Sequence, residues 1–481
     1  MDGGVTLQRK SWTIIFLLVL LVVIQDNDTS SYFGYMTQHT PCNNLYNSDS
    51  SEKTLVCIWQ SDFEIGDSYG YTFVTGDSTN DGVSDITIAD QKAGLIYIIE
   101  WRGNELVNTF NVSESGISVD GDSIVLGDLD GDGLNEYVIG GYTSSSAAFY
   151  VFRNDSRISS NVFSGIDDGI SAIELGHVSV SVLPSISSEL NPITSSSDSL
   201  QIITGLWYTP TVYFWEQDGR FWTQYYTFNA KERPVSDIVM ADVDGDGFDE
   251  LLLAEGGGTI EIIGFSRDGA VVEYELEHPM LAVSTLYCVQ SLAVGDFDND
   301  GGSAYEIFSC IDGPRTATVW KKESSTFEPI FNIELPGLPD AIATGNLDDD
   351  DDIELVVAAG YSANIVMLYE FDGETWQYSA NFTDFDESNQ EIHHMEIADV
   401  DNDGQNELVV AYGKEPLRVL EYTTAPITTS TSNSTSNSTD TTQTSTQSSF
   451  PISLDLLGLG IGIPTILIVA VLIWKLRKKS V

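Results

Sequence analysis

Residues 123–141 read SIVLGDLDGDGLNEYVIGG: an apolar stretch ending in one small residue, then an acidic loop, then a β-branched run. The same order returns along the chain, with the small residue at Gly76, Gly127, Gly176, Ala241, Gly295, Gly345 and Ala398. Intervals between these positions run from 49 to 65 residues. Self-similarity at such a period marks a solenoid, propeller or array, because each unit can bury its apolar face only against its neighbours. Six acidic loops follow the small residues: DSTNDGVSD, DLDGDGLNE, DVDGDGFDE, DFDNDGGSAYE, NLDDDDDIE and DVDNDGQNE. The unit at Gly176 keeps its place although its loop has lost every acidic ligand, so the units number seven.

Each unit continues into a run such as LLLAE or LVVAA and then a strand-turn-strand such as VYFWEQDGRFWTQYYTF (212–228). Short apolar runs broken by turn residues are strand signals, and no segment between Gly76 and Tyr422 sustains a helical period. Four short strands in each unit predict an all-β, seven-bladed β-propeller. The last unit stops one strand short, after PLRVLEY (416–422), and TLVCIWQSDF (54–63) ahead of the first unit is the candidate for the missing piece. Pairing across the two ends would close the ring and remove the exposed strand edges that invite aggregation. The ring is expected to span residues 53–422.

Within the acidic loops, carboxylates stand at alternate positions, a Gly follows the third, and a carboxylate closes the loop at position nine. Alternate side chains can fold around one hard cation while a backbone carbonyl supplies position seven and the Gly permits a sharp turn. The fullest sets are Asp128, Asp130, Asp132, the Leu134 carbonyl and Glu136, then Asp242, Asp244, Asp246, the Phe248 carbonyl and Glu250. Asp399, Asp401, Asp403, the Gln405 carbonyl and Glu407 form a third. The first loop offers Asp77, Thr79, Asp81, the Val83 carbonyl and Asp85, with Thr79 in place of a carboxylate. Another offers Asp296, Asp298, Asp300 and, after two extra residues, Glu306. NLDDDDDIE supplies Asn346, Asp348, Asp350, Asp352 and Glu354, with Asp351 where Gly is usual. An EF-hand would place its closing Glu at position twelve between helices, so the spacing excludes that motif. Calcium at several structural sites is the cofactor this pattern implies.

The repeated loop resembles the FG-GAP or VCBS repeat of integrin α-subunit propellers and of many secreted prokaryotic proteins, over most of the chain. The resemblance implies structural Ca²⁺ on one face of a seven-bladed propeller, with partners on the opposite face. Neither leg domains nor an inserted metal-dependent adhesion domain is recognisable, so the fold and the calcium carry over while an integrin ligand or β-subunit partner does not.

Both termini carry targeting signals. Residues 1–25, with Arg9 and Lys10 ahead of the apolar run from Trp12 to Ile24, have the form of a signal peptide. Residues 26–52 form an N-terminal lead, and 423–453 form a Ser/Thr-rich stalk with almost no apolar content to bury. Residues 454–474 are apolar enough to span a bilayer, and the basic tail 475–481 places that end in the cytoplasm by the positive-inside rule. The expectation is a single-pass protein of the cell membrane with an extracellular ectodomain, carrying sequons at Asn27, Asn111, Asn154, Asn381, Asn433 and Asn437. Cysteine usage fits that compartment: Cys288 and Cys310 flank one acidic loop and suggest a cross-strand disulfide, leaving Cys42 with Cys57. Four cysteines allow three connectivities, and spacing alone does not choose among them.

Acids number 73 against 20 bases, a formal charge of −53, which is more than the loop ligands account for. Such a surface argues against nucleic acid or an anionic lipid surface as partner. No catalytic constellation stands out among the 5 histidines, and no nucleophile motif is present, so the chain is not expected to be an enzyme. If the acidic loops define one face, Tyr142, Trp207, Tyr208, Arg315 and Tyr361 lie in turns on the other, where aromatic rings beside a cation would suit a sugar or protein. The reading is a calcium-stabilised binding or adhesion protein for an extracellular glycan or surface protein. The alternatives are a polysaccharide-lyase-like enzyme on a calcium propeller, which would need a base and a cationic neutraliser, and a structural coat component.

Overall fold

Every repeat folds into a four-stranded antiparallel sheet, and seven such sheets make the ring. The computed structural model describes residues 53–423, apart from 62–70, 91–94, 104, 114–123, 144–145, 155, 164–165, 179–199, 219–220, 267–268, 279–286, 303, 349, 351, 361–362, 384, 386–390 and 414–415. The chain divides into Met1–Pro426 and Ile427–Val481, and the second unit lies outside the described residues. Signal peptide, lead, stalk, membrane span and basic tail therefore all fall outside them. Among the described residues no helix is long and apolar enough to cross a membrane.

Strand β1 (Thr54–Gln60) precedes the repeats. The first blade is β2 (Tyr71–Gly76), β3 (Asp85–Asp90), β4 (Leu95–Trp101) and β5 (Leu106–Ser113). The second is β6 (Ile124–Gly127), β7 (Glu136–Thr143), β8 (Ser146–Arg153) and β9 (Ser156–Val162). The third is β10 (Ile170–Gly176), β11 (Gln201–Leu206), β12 (Thr211–Asp218) and β13 (Phe221–Asn229), and the fourth is β14 (Val235–Ala241), β15 (Glu250–Glu255), β16 (Thr259–Ser266) and β17 (Gly269–Glu277). The fifth is β18 (Val289–Gly295), β19 (Glu306–Ile311), β20 (Thr316–Glu323) and β21 (Thr326–Glu334), and the sixth is β22 (Leu338–Gly345), β23 (Glu354–Gly360), β24 (Ile365–Phe371) and β25 (Trp376–Phe382). The seventh blade takes β26 (Ile392–Ala398), β27 (Glu407–Tyr412) and β28 (Arg418–Thr423) from the end of the repeats and borrows β1 as its outer strand.

That borrowed strand closes the ring. β1 runs antiparallel to β28 from Thr54 opposite Thr423 to Gln60 opposite Arg418. Leu55 and Cys57 enter the core between the sixth and seventh blades, and a bulge between Cys57 and Trp59 turns Trp59 into the core between the seventh and first. One apolar cluster fills each boundary between neighbouring blades, so the hydrophobic stabilisation is shared around the ring.

The small residue that marks each repeat has a packing reason. A Cβ on Gly127 would lie 3.0 Å from the Leu175 side chain, one on Gly176 would lie 2.8 Å from Met240, and one on Gly345 would lie 2.7 Å from Ile397. In each case the intruding side chain sits on the inner strand of the next blade. Inner strands are also stitched by hydrogen bonds: Asp237 accepts from the Leu292 amide, Asp340 from the Ile392 amide, and Glu396 from both the amide and hydroxyl of Thr75. His394 sits in β26, stacks edge-on against Phe73 and contacts Glu396 at 3.0 Å, a structural role at the seventh-to-first boundary.

The expected Cys288–Cys310 disulfide does not form, and both thiols are free. Cys310 pairs with Ser291 across the bulge at the start of β18 and packs toward the sixth blade. Cys288 bridges instead to Gly256 and places Sγ 3.4 Å from Ser236 Oγ of the fourth blade. The two side chains thus leave opposite faces of the fifth blade, a geometry no disulfide can span. Cys42, the expected partner of Cys57, lies outside the described residues.

Ring closure by β1 makes Leu55 a core residue, 3% exposed, although it lies outside the repeats. Leu55→Ala is expected to cost about 2–5 kcal/mol in chemical denaturation, the range for a buried leucine. A near-neutral result would mean that β1 does not complete the seventh blade.

Candidate metal centres

All the acidic loops join the first two strands of a blade and therefore share one rim. The closing acid pairs directly with the marker residue, as in Gly76 opposite Asp85, Gly127 opposite Glu136, Gly295 opposite Glu306 and Ala398 opposite Glu407. This register drives the closing carboxylates inward: Asp85, Glu136, Glu250, Glu306, Glu354 and Glu407 are all buried. One oxygen of each accepts the amide of the loop's second residue, from Ser78, Leu129, Val243, Phe297, Leu347 and Val400 respectively. That second residue is itself buried and plugs the blade core beneath the loop.

Folding over this base follows from the first carboxylate and two left-handed positions. Asp128 accepts the amides of Gly131, Asp132 and Gly133, and Asp242 those of Gly245, Asp246 and Gly247. Asp77, Asp296 and Asp399 each accept two amides in the same way. Position six is Gly at φ +65° to +96°, in Gly82, Gly133, Gly247, Gly301 and Gly404. Position four is also left-handed in the five loops with Asn80, Gly131, Gly245, Asn299 or Asn402 there, residues that adopt this conformation more readily than others. Asp349 and Asp351 of the sixth blade lie outside the described residues.

The loops gather carboxylates as their spacing predicts. Five groups bring three acidic oxygens within 4.8 Å of one another: Asp128, Asp130 and Glu136; Asp242, Asp244 and Asp246; Asp296, Asp298 and Asp300; Asp348, Asp350 and Glu354; and Asp399, Asp401 and Glu407. These are hard oxygen donors in an arrangement that could hold a metal ion. Asp77, Asp81 and Asp85 of the first blade are not among these groups. There, however, Asp85 Oδ1 and Thr79 Oγ1 are buried atoms without a hydrogen-bond partner. Leu134 and Phe248, expected to contribute carbonyls, turn their side chains to solvent.

Burial and crowding raise the proton affinity of these acids. Burial, with Asp244 adding to it, pushes Glu250 up to about 8. Burial likewise pushes Glu407 up to about 8, with Asp401, Asp403 and Asp399 contributing, and Glu354 up to about 7. A cation in the loop would reverse this effect, because opposite charge favours the ionised form.

Three features escaped the sequence reading. The third blade keeps the same closure in neutral form: the Val178 amide donates to Gln201 Oε1 at 2.7 Å, so a glutamine replaces the closing acid where the other carboxylates are also gone. Loops of adjacent blades are tied by the residue at position eight, since Asn135 Nδ2 donates to the Asp77 carbonyl and Asn406 Nδ2 to the Asn346 carbonyl. Basic side chains enter several loops: Arg153 reaches Asp130, Asp132 and Glu136, Lys321 reaches Asp298, Asp300 and Glu306, Lys322 reaches Asp244, and Lys53 reaches Asp348. A cleft of about 590 Å³ opens beside the sixth loop, lined by Lys53, Asp350, Glu370, Tyr378, Ser379 and Tyr422 among others.

The expected ligand residues lie on the opposite rim, in turns between second and third strands. Tyr142 donates to Asp167, whose neighbour Asp168 accepts the Tyr208 amide and the Thr209 hydroxyl. Tyr142, Trp207 and Tyr208 are thus brought together at the boundary of the second and third blades. Tyr208 is 69% exposed, and Arg233 donates to its carbonyl. Trp207 Nε1 has no partner. Arg315 belongs to the fifth blade, at φ +59°, and is not part of this group. Tyr361 lies outside the described residues.

No family model matches the chain, and no curated protein matches it. Solved structures do. The chain is similar to a crystal structure of BBS1N in complex with ARL6DN soaked with lead, at 11% identity and a TM-score of 0.51, covering 78% of this chain and 98% of that one. The same complex soaked with mercury matches at 11% identity and a TM-score of 0.52, with the same coverage. At that identity the likeness concerns the fold, and the fold is an all-β seven-bladed propeller.

The opposite rim also carries a buried acid pair, Glu255 and Glu261, held by the amides of Lys231 and Glu232. Burial, and then the contact with Glu261, raises Glu255 well above the ordinary glutamate range. The folded state therefore holds a proton that the unfolded chain releases, so this stability is present at low pH and lost as pH rises above that range. Thermal melts should show Glu255→Gln more stable than the parent near pH 8, with the gap closing toward pH 5. A gap independent of pH would show that Glu255 is ionised throughout.

Proposed function

We propose that the protein is a calcium-stabilised binding module whose loops hold structural Ca²⁺ and whose opposite rim engages an extracellular protein or glycan. The observation that carries this reading is the set of five carboxylate triads on one rim, each with oxygens within 4.8 Å. Acids gathered so closely repel unless a cation joins them, and Ca²⁺ takes oxygen ligands from flexible loops of this kind. The resemblance of the loops to FG-GAP and VCBS repeats supports the same ion. Extracellular modules bind calcium with dissociation constants of about 10⁻⁴ to 10⁻³ M, so the ion would be constitutive outside a cell and not a signal.

A protein partner is favoured by the neighbour BBS1N, a chain of similar fold that is in complex with ARL6DN. On this chain the group formed by Tyr142, Trp207 and Tyr208, with the exposed ring of Tyr208, is the place where a partner would dock. The apolar segments at 1–25 and 454–474 support display at the cell surface on a single membrane span. Lyase-like chemistry has less support: His278 is buried against Thr318 and pushed down to about 4 by burial, and His394 is committed to a blade boundary.

Two measurements test the proposal. Asp401→Asn keeps the oxygen that accepts the Asp403 amide but removes a charge. It should lower the melting temperature in Ca²⁺ by a few degrees and leave it unchanged or higher in chelator, whereas equal losses in both conditions would reject the seventh loop as a calcium site. Retention of the full-length protein on a panel of surface proteins and polysaccharides should depend on Ca²⁺ and should weaken in Tyr208→Ala. Release of soluble products would move the protein to the enzymes.

A further inference from the structure

The residue on the third strand that faces the closing acid differs in kind from blade to blade. The register places Arg153 opposite Glu136 in the second blade and Lys321 opposite Glu306 in the fifth. In the first, sixth and seventh blades the same position is Glu100, Glu370 and Glu421. The fourth blade has Gly264 there. One position therefore carries a cation aimed into the loop in two blades, a further acid in three, and no side chain in the fourth.

Where the residue is basic, it occupies the space a metal ion would need. Arg153 lies 3.2 Å from Asp130 and 2.9 Å from Asp132, and also pairs with the buried Glu136. Lys321 lies 2.5 Å from Asp298, 2.8 Å from Asp300 and 2.9 Å from Glu306. In each loop one fixed side chain touches three carboxylates that a divalent ion would otherwise share. We infer that Arg153 and Lys321 are resident cations that replace the divalent ion in the second and fifth blades, confining divalent binding to loops that lack one.

The acid-bearing blades show the complementary electrostatics. Glu100 stands opposite the closing Asp85 of the first blade, and Glu370 lines the cleft beside Asp350 and Glu354 of the sixth. Glu421 follows Leu420, which pairs with Leu408, and so stands opposite the closing Glu407 of the seventh. Lys53, just ahead of the strand that closes the ring, enters the sixth loop at Asp348. The sixth, seventh and first blades are consecutive and flank the joint made by β1. Divalent ions held there would tie the loops at the one place where the ring is closed by non-covalent pairing of distant segments.

This inference rests on the reading of the loops as calcium sites, and its test separates the two. Calcium uptake by the full-length protein is measured by equilibrium dialysis with Ca²⁺ alone, and melting is followed in Ca²⁺ and in chelator. Arg153→Met and Lys321→Met, which keep an apolar stem, should each take up one more Ca²⁺ than the parent, melt lower in chelator and recover in Ca²⁺. Glu421→Lys, which places a cation beside the seventh loop, should take up one fewer and become less sensitive to chelator. Unchanged uptake together with unchanged melting in all three variants would overturn the resident-cation role. If the parent binds no Ca²⁺ while the two methionine variants still melt lower in chelator, the resident cations stand and the calcium reading of the remaining loops falls.

Discussion

A buried carboxylate at the start of the second strand, present in six of the seven blades, is the constraint on which the rest of this propeller depends. It must face inward because it pairs with the marker residue of the inner strand, and that residue must be small because the next blade packs against it. One of its oxygens anchors the loop through a backbone amide, and the other faces a crowd of acids. An ionised carboxylate in such a place is costly unless a cation or a proton offsets it. The blades meet that cost in different ways, through glutamine at Gln201, through the bound side chains of Arg153 and Lys321, and through open acidic cages elsewhere.

The ring distributes its strength evenly except at the joint. Seven boundaries each hold an apolar cluster, and inner strands exchange hydrogen bonds between blades. Only the seventh blade depends on a strand from the other end of the repeats, and that strand brings Leu55, Cys57 and Trp59 into two different cores. The three loops whose closing acid faces a further acid from the third strand, in the sixth, seventh and first blades, lie around the same joint. Electrostatics and topology thus place the greatest demand for an external cation where the covalent chain helps least.

Much of the architecture was legible because a repeat is read many times over. One loop, such as DLDGDGLNE, is an ambiguous acidic turn, but its recurrence set the blade count, the hairpin that each loop spans and the missing strand at TLVCIWQSDF. The carboxylate groupings followed from alternation within the loops. The disulfide did not, because Cys288 and Cys310 are near in sequence around one hairpin yet leave opposite faces of the blade, and a bulge between them shifts the register.

What the sequence determined by itself was local and periodic: seven units, four strands in each, loops able to fold around a cation, and a sharp turn at the Gly that follows the third carboxylate in most of them. Those follow from the nearest neighbours along the chain, whose spacing is visible in the letters. Only the tertiary structure decided which side chains face each loop from the third strand, which aromatic residues share a turn cluster, and in which register the N-terminal strand pairs. Arg153 lies 17 residues from Glu136, and Lys53 lies far from Asp348, so their meeting depends on register and ring closure. Pairing across strands is a property of the folded sheet, where a shift of one residue would turn a resident cation away from its loop.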